Sequence, residues 1–127
     1  MKRIFILTLL FVCNFAIGQK DSASIIGKSI RIGNIIVAQN DFPERMNWYE
    51  AKRACEALGG GWRLPTKDEL NSLYLYKINN GGFRRGCCYW SSSEAVDDNA
   101  WGQRFSFGSQ FYGDKKHPNF VRAIRTY

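Results

Sequence analysis

Apolar and polar positions change their period several times along this chain. Lys2 and Arg3 are followed by a run from Ile4 to Ile17 that is apolar except at Thr8, Cys13 and Asn14. Such a run fits the core of a secretory signal and is too short to span a bilayer comfortably. Ala16-Ile17-Gly18 ends it with small residues where a signal peptidase reads, so residues 1–18 are expected to leave, with cleavage before Gln19. Residues 19–29 are polar and weakly patterned, a short leader. Two β-rich pieces follow, Ile30-Arg31-Ile32 and Ile35-Ile36-Val37-Ala38, joined by the turn signal Gly33-Asn34.

The period then becomes helical. Asn47 is an N-cap with Glu50 as its capping-box partner. Trp48, Ala51, Cys55 and Leu58 follow at spacings of 3, 4 and 3, one apolar stripe, and Gly59-Gly60-Gly61 stops the helix. Pro65 biases Leu64 toward extended backbone. Thr66 and Glu69 form a second capping box, opening a helix over about Lys67–Tyr76 with Leu70, Leu73 and Tyr74 on one face. The last third alternates as strands. Cys88–Ser92 is one. Ala100–Phe107 sets Trp101, Gln103, Phe105 and Phe107 against Gly102, Arg104 and Ser106. Gln110-Phe111-Tyr112 pairs back after Gly108-Ser109, and Phe120–Arg125 closes the chain, with Val121 and Ala123 opposite Arg122 and Ile124. Strands, two helices and an antiparallel meander make an α+β domain over residues 30–127.

Composition narrows the function. The chain has 127 residues, 45% hydrophobic, 15% aromatic and 23% charged. That is one packed domain, and it excludes a disordered chain, a coiled coil and a multi-span membrane protein. A single His argues against most His-dependent catalysis, and Ser91, Ser92 and Ser93 lack a motif that activates a hydroxyl. The formal net charge is +7, which favours acidic partners, while export argues against nucleic acid as that partner.

The ordered set Met46-Asn47-Trp48, Ala51, Cys55, Leu58-Gly59, Gly61-Trp62-Arg63-Leu64-Pro65-Thr66 and Asp68-Glu69-Leu70 carries a family likeness. It continues with Gly81-Gly82-Phe83, Tyr89-Trp90-Ser91-Ser92-Ser93, Ala100-Trp101, Phe105, Gly108 and Val121-Arg122-Ala123-Ile124-Arg125. Together these residues resemble the Lcl C-terminal-like domain family, a bacterial domain of unknown function related to the C-terminal module of a collagen-like adhesin. The resemblance implies a C-type-lectin-like fold, two helices packed on a small antiparallel sheet with long loops. It also implies a secreted, periplasmic or cell-surface binding role, which in the adhesin is associated with sulfated glycosaminoglycans. Ala123 stands where several members have Cys, so the familiar partner for Cys55 is missing. The triplets with which classical C-type lectins hold calcium are also missing; Asp97-Asp98-Asn99 is a weak substitute.

Candidate residues follow from both readings. Trp48, Trp62, Arg63, Leu64, Pro65, Trp90, Trp101 and Arg125 are expected to form the structural framework. Arg84, Arg85, Lys115 and Lys116, with His117, are expected to make a basic surface for an anion. The polar loops add Asp97, Asp98, Asn99, Gln110 and Tyr112 as ligand-binding residues. With Cys13 removed, Cys55, Cys87 and Cys88 leave one disulfide and one thiol in an oxidising compartment. The pairing is expected to be Cys55 with Cys88 or Cys87, and strand parity, which sets Cys88 beside Trp90, leans to Cys88. No cofactor and no metal are expected, since adjacent cysteines are poorly spaced for zinc. The sequence therefore describes an exported, non-enzymatic binding module, without a stable membrane span after cleavage, for carbohydrate or anionic polymer at the cell surface. The alternative is a protein-interaction or structural surface module.

Overall fold

The structure, a computed structural model, describes residues 22–127. The expected signal peptide over residues 1–18 lies outside the described residues. The fold has two three-stranded antiparallel sheets. The first joins β1 (Ile30–Ile32), β2 (Ile35–Val37) and β6 (Ile124–Thr126) in the order β1-β2-β6, so the end of the domain pairs with its beginning. The second is a meander of β3 (Cys88–Glu94), β4 (Asn99–Arg104) and β5 (Gln110–Asp114). Between the sheets in sequence lie α1 (Trp48–Ala57) and α2 (Lys67–Asn80).

Both helices begin at complete capping boxes, Asn47 with Glu50 and Thr66 with Glu69, so local chemistry fixes where each starts. Their buried faces serve two cores. Trp48, Ala51 and Cys55 of α1 pack with Trp62, Leu64, Trp90, Ala100, Val121 and Ala123. Leu70 and Leu73 of α2 pack with Ile35, Val37, Tyr89, Phe105 and Ile124. Successive residues of β3 point to opposite faces, so Tyr89 and Trp90 each fill a different core and both are fully buried.

The structure departs from the sequence reading at four places. Residues 22–26 are a helical turn tied into the domain, with Gln39 and Asn40 amides donating to Ile26 and Ile25 carbonyls at 2.9 and 3.2 Å, so this part of the expected leader is folded. Helix α2 runs past Tyr76 to Asn80, because Gly81, at φ 70°, is the residue that ends it. Strand β4 stops at Arg104; Phe105 turns into the α2 core and Phe107 is 81% exposed. That turn depends on Gly108 at φ +84°, where any side chain would run into the Tyr74 ring. Finally, residues 119–123 do not form one alternating strand. Phe120 bonds to β3 through Trp90 and Cys88, whereas Ala123 accepts from Ala38 at 3.0 Å, so the segment bridges the two sheets. Val121, Arg122, Ala123 and Ile124 are consequently all buried.

Candidate functional site

The loop after β2 meets the loop after α2 over a polar cleft of about 340 Å³. At its floor Arg122 donates through Nε to Asp41 Oδ1 at 2.7 Å, and their side chains are only 6% and 7% exposed. Arg122 also donates to the Gly82 and Ala38 carbonyls at 2.7 and 3.3 Å, and its guanidinium lies 4.1 Å from the Phe83 ring centre. Tyr89 donates its hydroxyl to Asp41 Oδ2 at 2.6 Å and accepts from the Arg84 amide at 2.9 Å. Burial, then the neighbouring Asp41 charge, pushes the Tyr89 phenol well above the usual tyrosine range. Arg122, Asp41 and Tyr89 were not among the sequence-selected site residues; their pairing spans up to 81 positions and leaves no local signal.

Above this floor Arg84 is exposed, its Nε 3.5 Å from Asp41, and its guanidinium sits 4.6 Å from the Phe120 ring centre. Arg45, also exposed, approaches the same ring at 5.8 Å. Two cations thus lie within about 6 Å of the centre of one aromatic ring. Arg85 is exposed beside them in sequence. Sequence reading selected Arg84 and Arg85 but not Arg45, which lies in a different loop.

Lys115 is not part of this surface. Its side chain is 7% exposed, and Nζ donates to Glu94 Oε1 at 2.5 Å and lies 4.0 Å from Asp98 Oδ1. It also stands 4.3 Å from the Trp48 ring centre. The bond to Glu94 holds the Lys115 ammonium above the ordinary lysine range and the Glu94 carboxyl below its own. Tyr49 donates to Asp98, which raises the phenol. Asp97 occupies a turn at φ 53°, Asn99 donates to the Val96 carbonyl at 3.0 Å, and Asp114 Oδ1 accepts from the Lys116 amide at 2.9 Å. Lys116 and His117 are exposed. The expected basic surface is therefore divided: Arg84 shares its ring with Arg45, and Lys115 is held by carboxylates.

A third cluster lies on β4 and β5. Trp101 and Tyr112 face each other in register with ring centres 5.2 Å apart, and Lys67 Nζ is 3.6 Å from the Trp101 ring centre. Gln110 donates to the Lys67 carbonyl at 2.8 Å.

The remaining framework candidates are held by contacts within the domain. The Trp48 and Trp90 indole N–H groups donate to the Ser91 and Met46 carbonyls, each at 2.9 Å. Trp62, Leu64 and Pro65 are buried. Arg63 grips Glu69 with both terminal nitrogens at 2.7 and 3.0 Å, while Arg125 lies 5.7 Å from the Trp62 ring centre. Ser91 and Ser93 are engaged as braces: Ser91 donates to the Trp101 carbonyl, and Ser93 accepts the Lys67 amide at the start of α2. The expected disulfide is corrected. Cys87 and Cys88 are joined to each other, and Cys55 is a free, buried thiol. Trp90 fills the α1 side of β3, while Cys88 lies two residues along opposite Arg104, and its sulfur is taken by Cys87. Burial pushes the Cys55 thiol up to about 12.

The family model described as the Lcl C-terminal domain matches residues 22–125. No protein with a curated description matches the sequence at a significant level. Among solved structures the chain is similar to the snake venom toxin convulxin, with 10% identity, a TM-score of 0.60, and coverage of 80% of this chain and 96% of that one. It is similar to rhodocetin, solved in complex with the integrin α2-A domain, with 16% identity, a TM-score of 0.54 and coverage of 80% and 98%. It also resembles the Yersinia pseudotuberculosis adhesin InvE, with 16% identity and a TM-score of 0.56, over 76% of this chain but 34% of the adhesin. Likeness at these identities is one of fold, and the fold is C-type-lectin-like.

Proposed function

The chain belongs to the Lcl C-terminal domain family, and from that membership and its loop chemistry we propose an exported, non-catalytic module that binds an anionic polymer at the cell surface, such as a sulfated or uronate-bearing glycan. One observation carries the reading: Arg84 and Arg45, both exposed, flank Phe120. Guanidinium groups match sulfate and carboxylate through a two-donor fork. The ring contact of Arg84 restrains that side chain, so less of its rotamer freedom is lost when an anion arrives. The carboxylate beneath them, Asp41, is shared by Arg122 at 2.7 Å and Arg84 at 3.5 Å, so the group as a whole stays net positive. No helix among the described residues is long and apolar enough to cross a membrane.

The test is retention on immobilised sulfated polysaccharide. Arg45→Ala/Arg84→Ala is expected to elute at clearly lower salt than the wild type and to stay folded, its melting temperature lowered only by the lost Arg84 contacts to Asp41 and Phe120. Unchanged retention overturns the reading. A protein partner is the second reading. The exposed apolar side chains of Phe107, Val96 and Tyr112 favour it, and so does the complex in which rhodocetin was solved. It requires retention that ignores both arginines.

A further inference from the structure

Each sheet has two outer edges, and three of the four are closed or guarded. The outer edge of β6 is bonded to Arg63, whose amide and carbonyl pair with Ile124 at 2.8 and 2.9 Å. The outer edge of β3 is bonded to Phe120 and, through the Ser92 amide, to the Pro65 carbonyl at 2.7 Å. Strand β1 carries Arg31 at its centre and follows Lys28, charges of the kind that deter strand pairing. Strand β5, among the described residues, has nothing bonded to its outer edge and carries charge only at its end, at Asp114 before Lys115 and Lys116. Its sequence, Gln110-Phe111-Tyr112-Gly113-Asp114, contains no Lys, Arg or Pro.

Hydrogen-bond parity shows which groups β5 leaves over. Arg104 donates to the Ser109 carbonyl at 2.9 Å and Lys115 to the Asp98 carbonyl at 3.0 Å. With Gly102 opposite Phe111 and Ala100 opposite Gly113, the alternating ladder uses the odd-numbered residues of β5. The amides of Gln110, Tyr112 and Asp114 point away from β4, and among the described residues none has an acceptor.

We propose that β5 is a self-association edge, on which two copies of this chain pair antiparallel about a two-fold axis at Tyr112 and join their meanders into one sheet. The register is self-complementary. Tyr112, 56% exposed, meets Tyr112 of the second copy and extends the Trp101–Tyr112 aromatic pair across the interface. Asp114 of the second copy falls opposite Gln110 and not opposite another acid. Gln110 is bonded to the Lys67 backbone, so that carboxylate comes alongside the Lys67 ammonium over Trp101. The two-fold axis makes this opposite-charge contact twice. The complementary charges therefore favour a second copy over an unrelated extended peptide.

Sedimentation velocity with light scattering, from micromolar to millimolar protein, tests the proposal. The wild type is expected to shift from monomer to dimer. Tyr112→Pro removes an amide that the β4 ladder does not use, so it is expected to stay monomeric and folded, its melting temperature lowered only by the lost Trp101–Tyr112 ring contact. Tyr112→Lys, which sets like charges opposite each other, is expected to do the same and decides the matter if the proline variant does not fold. A wild type that stays monomeric throughout, or a dimer that survives Tyr112→Lys, overturns the proposal.

Discussion

Arg122 brings a full charge into the interior, and four acceptors or ring faces receive it: Asp41, Ala38, Gly82 and Phe83. A buried ion of this kind is stable only while its counter-charge remains. Asp41→Ala leaves the guanidinium unpaired and also strands the Tyr89 hydroxyl. The expected loss is about 3–5 kcal/mol of folding stability, read from denaturant midpoints, because breaking a buried pair from one side costs more than removing both members. Replacing both partners by apolar residues, Asp41→Leu/Arg122→Met, is expected to recover a large part of that loss; an Asp41→Ala variant as stable as the wild type removes the argument. The same pair shows where residue-scale reading ends. Alternation sets Arg122 opposite Val121 and Ala123, and it predicts burial of one side only while the other sheet face meets water. The chain here passes between two sheets, and a partner 81 positions away supplies the charge compensation.

Elements were more legible than residues. Each helix start is coded within four residues by hydroxyl or amide, backbone and carboxylate, and both capping boxes formed as the sequence spells them. Ends are less local. The stop of α2 is still marked by Asn79-Asn80-Gly81-Gly82 at its end, but that of β4 rests on the contact of Gly108 with Tyr74, which no short window contains. Glu69 joins the two kinds of information. It caps α2 through the Thr66 amide at 2.8 Å and is gripped by Arg63 from the link before it. Those bonds, that to Arg63 foremost, hold its carboxyl below the ordinary value of 4.5. The folded chain therefore binds this proton more weakly than the unfolded chain. The stabilisation is complete above that ordinary value and is lost as pH falls through it toward the depressed one. Thermal melts across this acid range are expected to show a decline that Glu69→Gln flattens, with the variant roughly 1 kcal/mol less stable than the wild type at neutral pH. An acid limb identical in both proteins sinks the assignment.

At the scale of the whole molecule, a net charge of +7 does not describe a uniform surface. Sequence reading joined Arg84, Arg85, Lys115 and Lys116 because they are basic and loop-borne. Folding separates them: loops converge on whatever side chain bridges the sheets, and Phe120 draws in Arg45 and Arg84, while the turn between β3 and β4 draws in Lys115. The acids of that turn, whose number suggests a calcium site, already hold an ammonium tethered to β5's end. A calcium ion there would have to evict Lys115 from Glu94, Asp98 and the Trp48 face, and a hard cation needs several free oxygen ligands to repay its dehydration. The wild-type melting temperature is accordingly expected to be the same in millimolar calcium and in chelator. Lys115→Met, by contrast, is expected to melt lower in both, since it leaves Glu94 and Asp98 without their counter-charge. A calcium-dependent rise in the wild type would show that the ammonium yields to a metal and would reassign Glu94 and Asp98 from frame to ligand site.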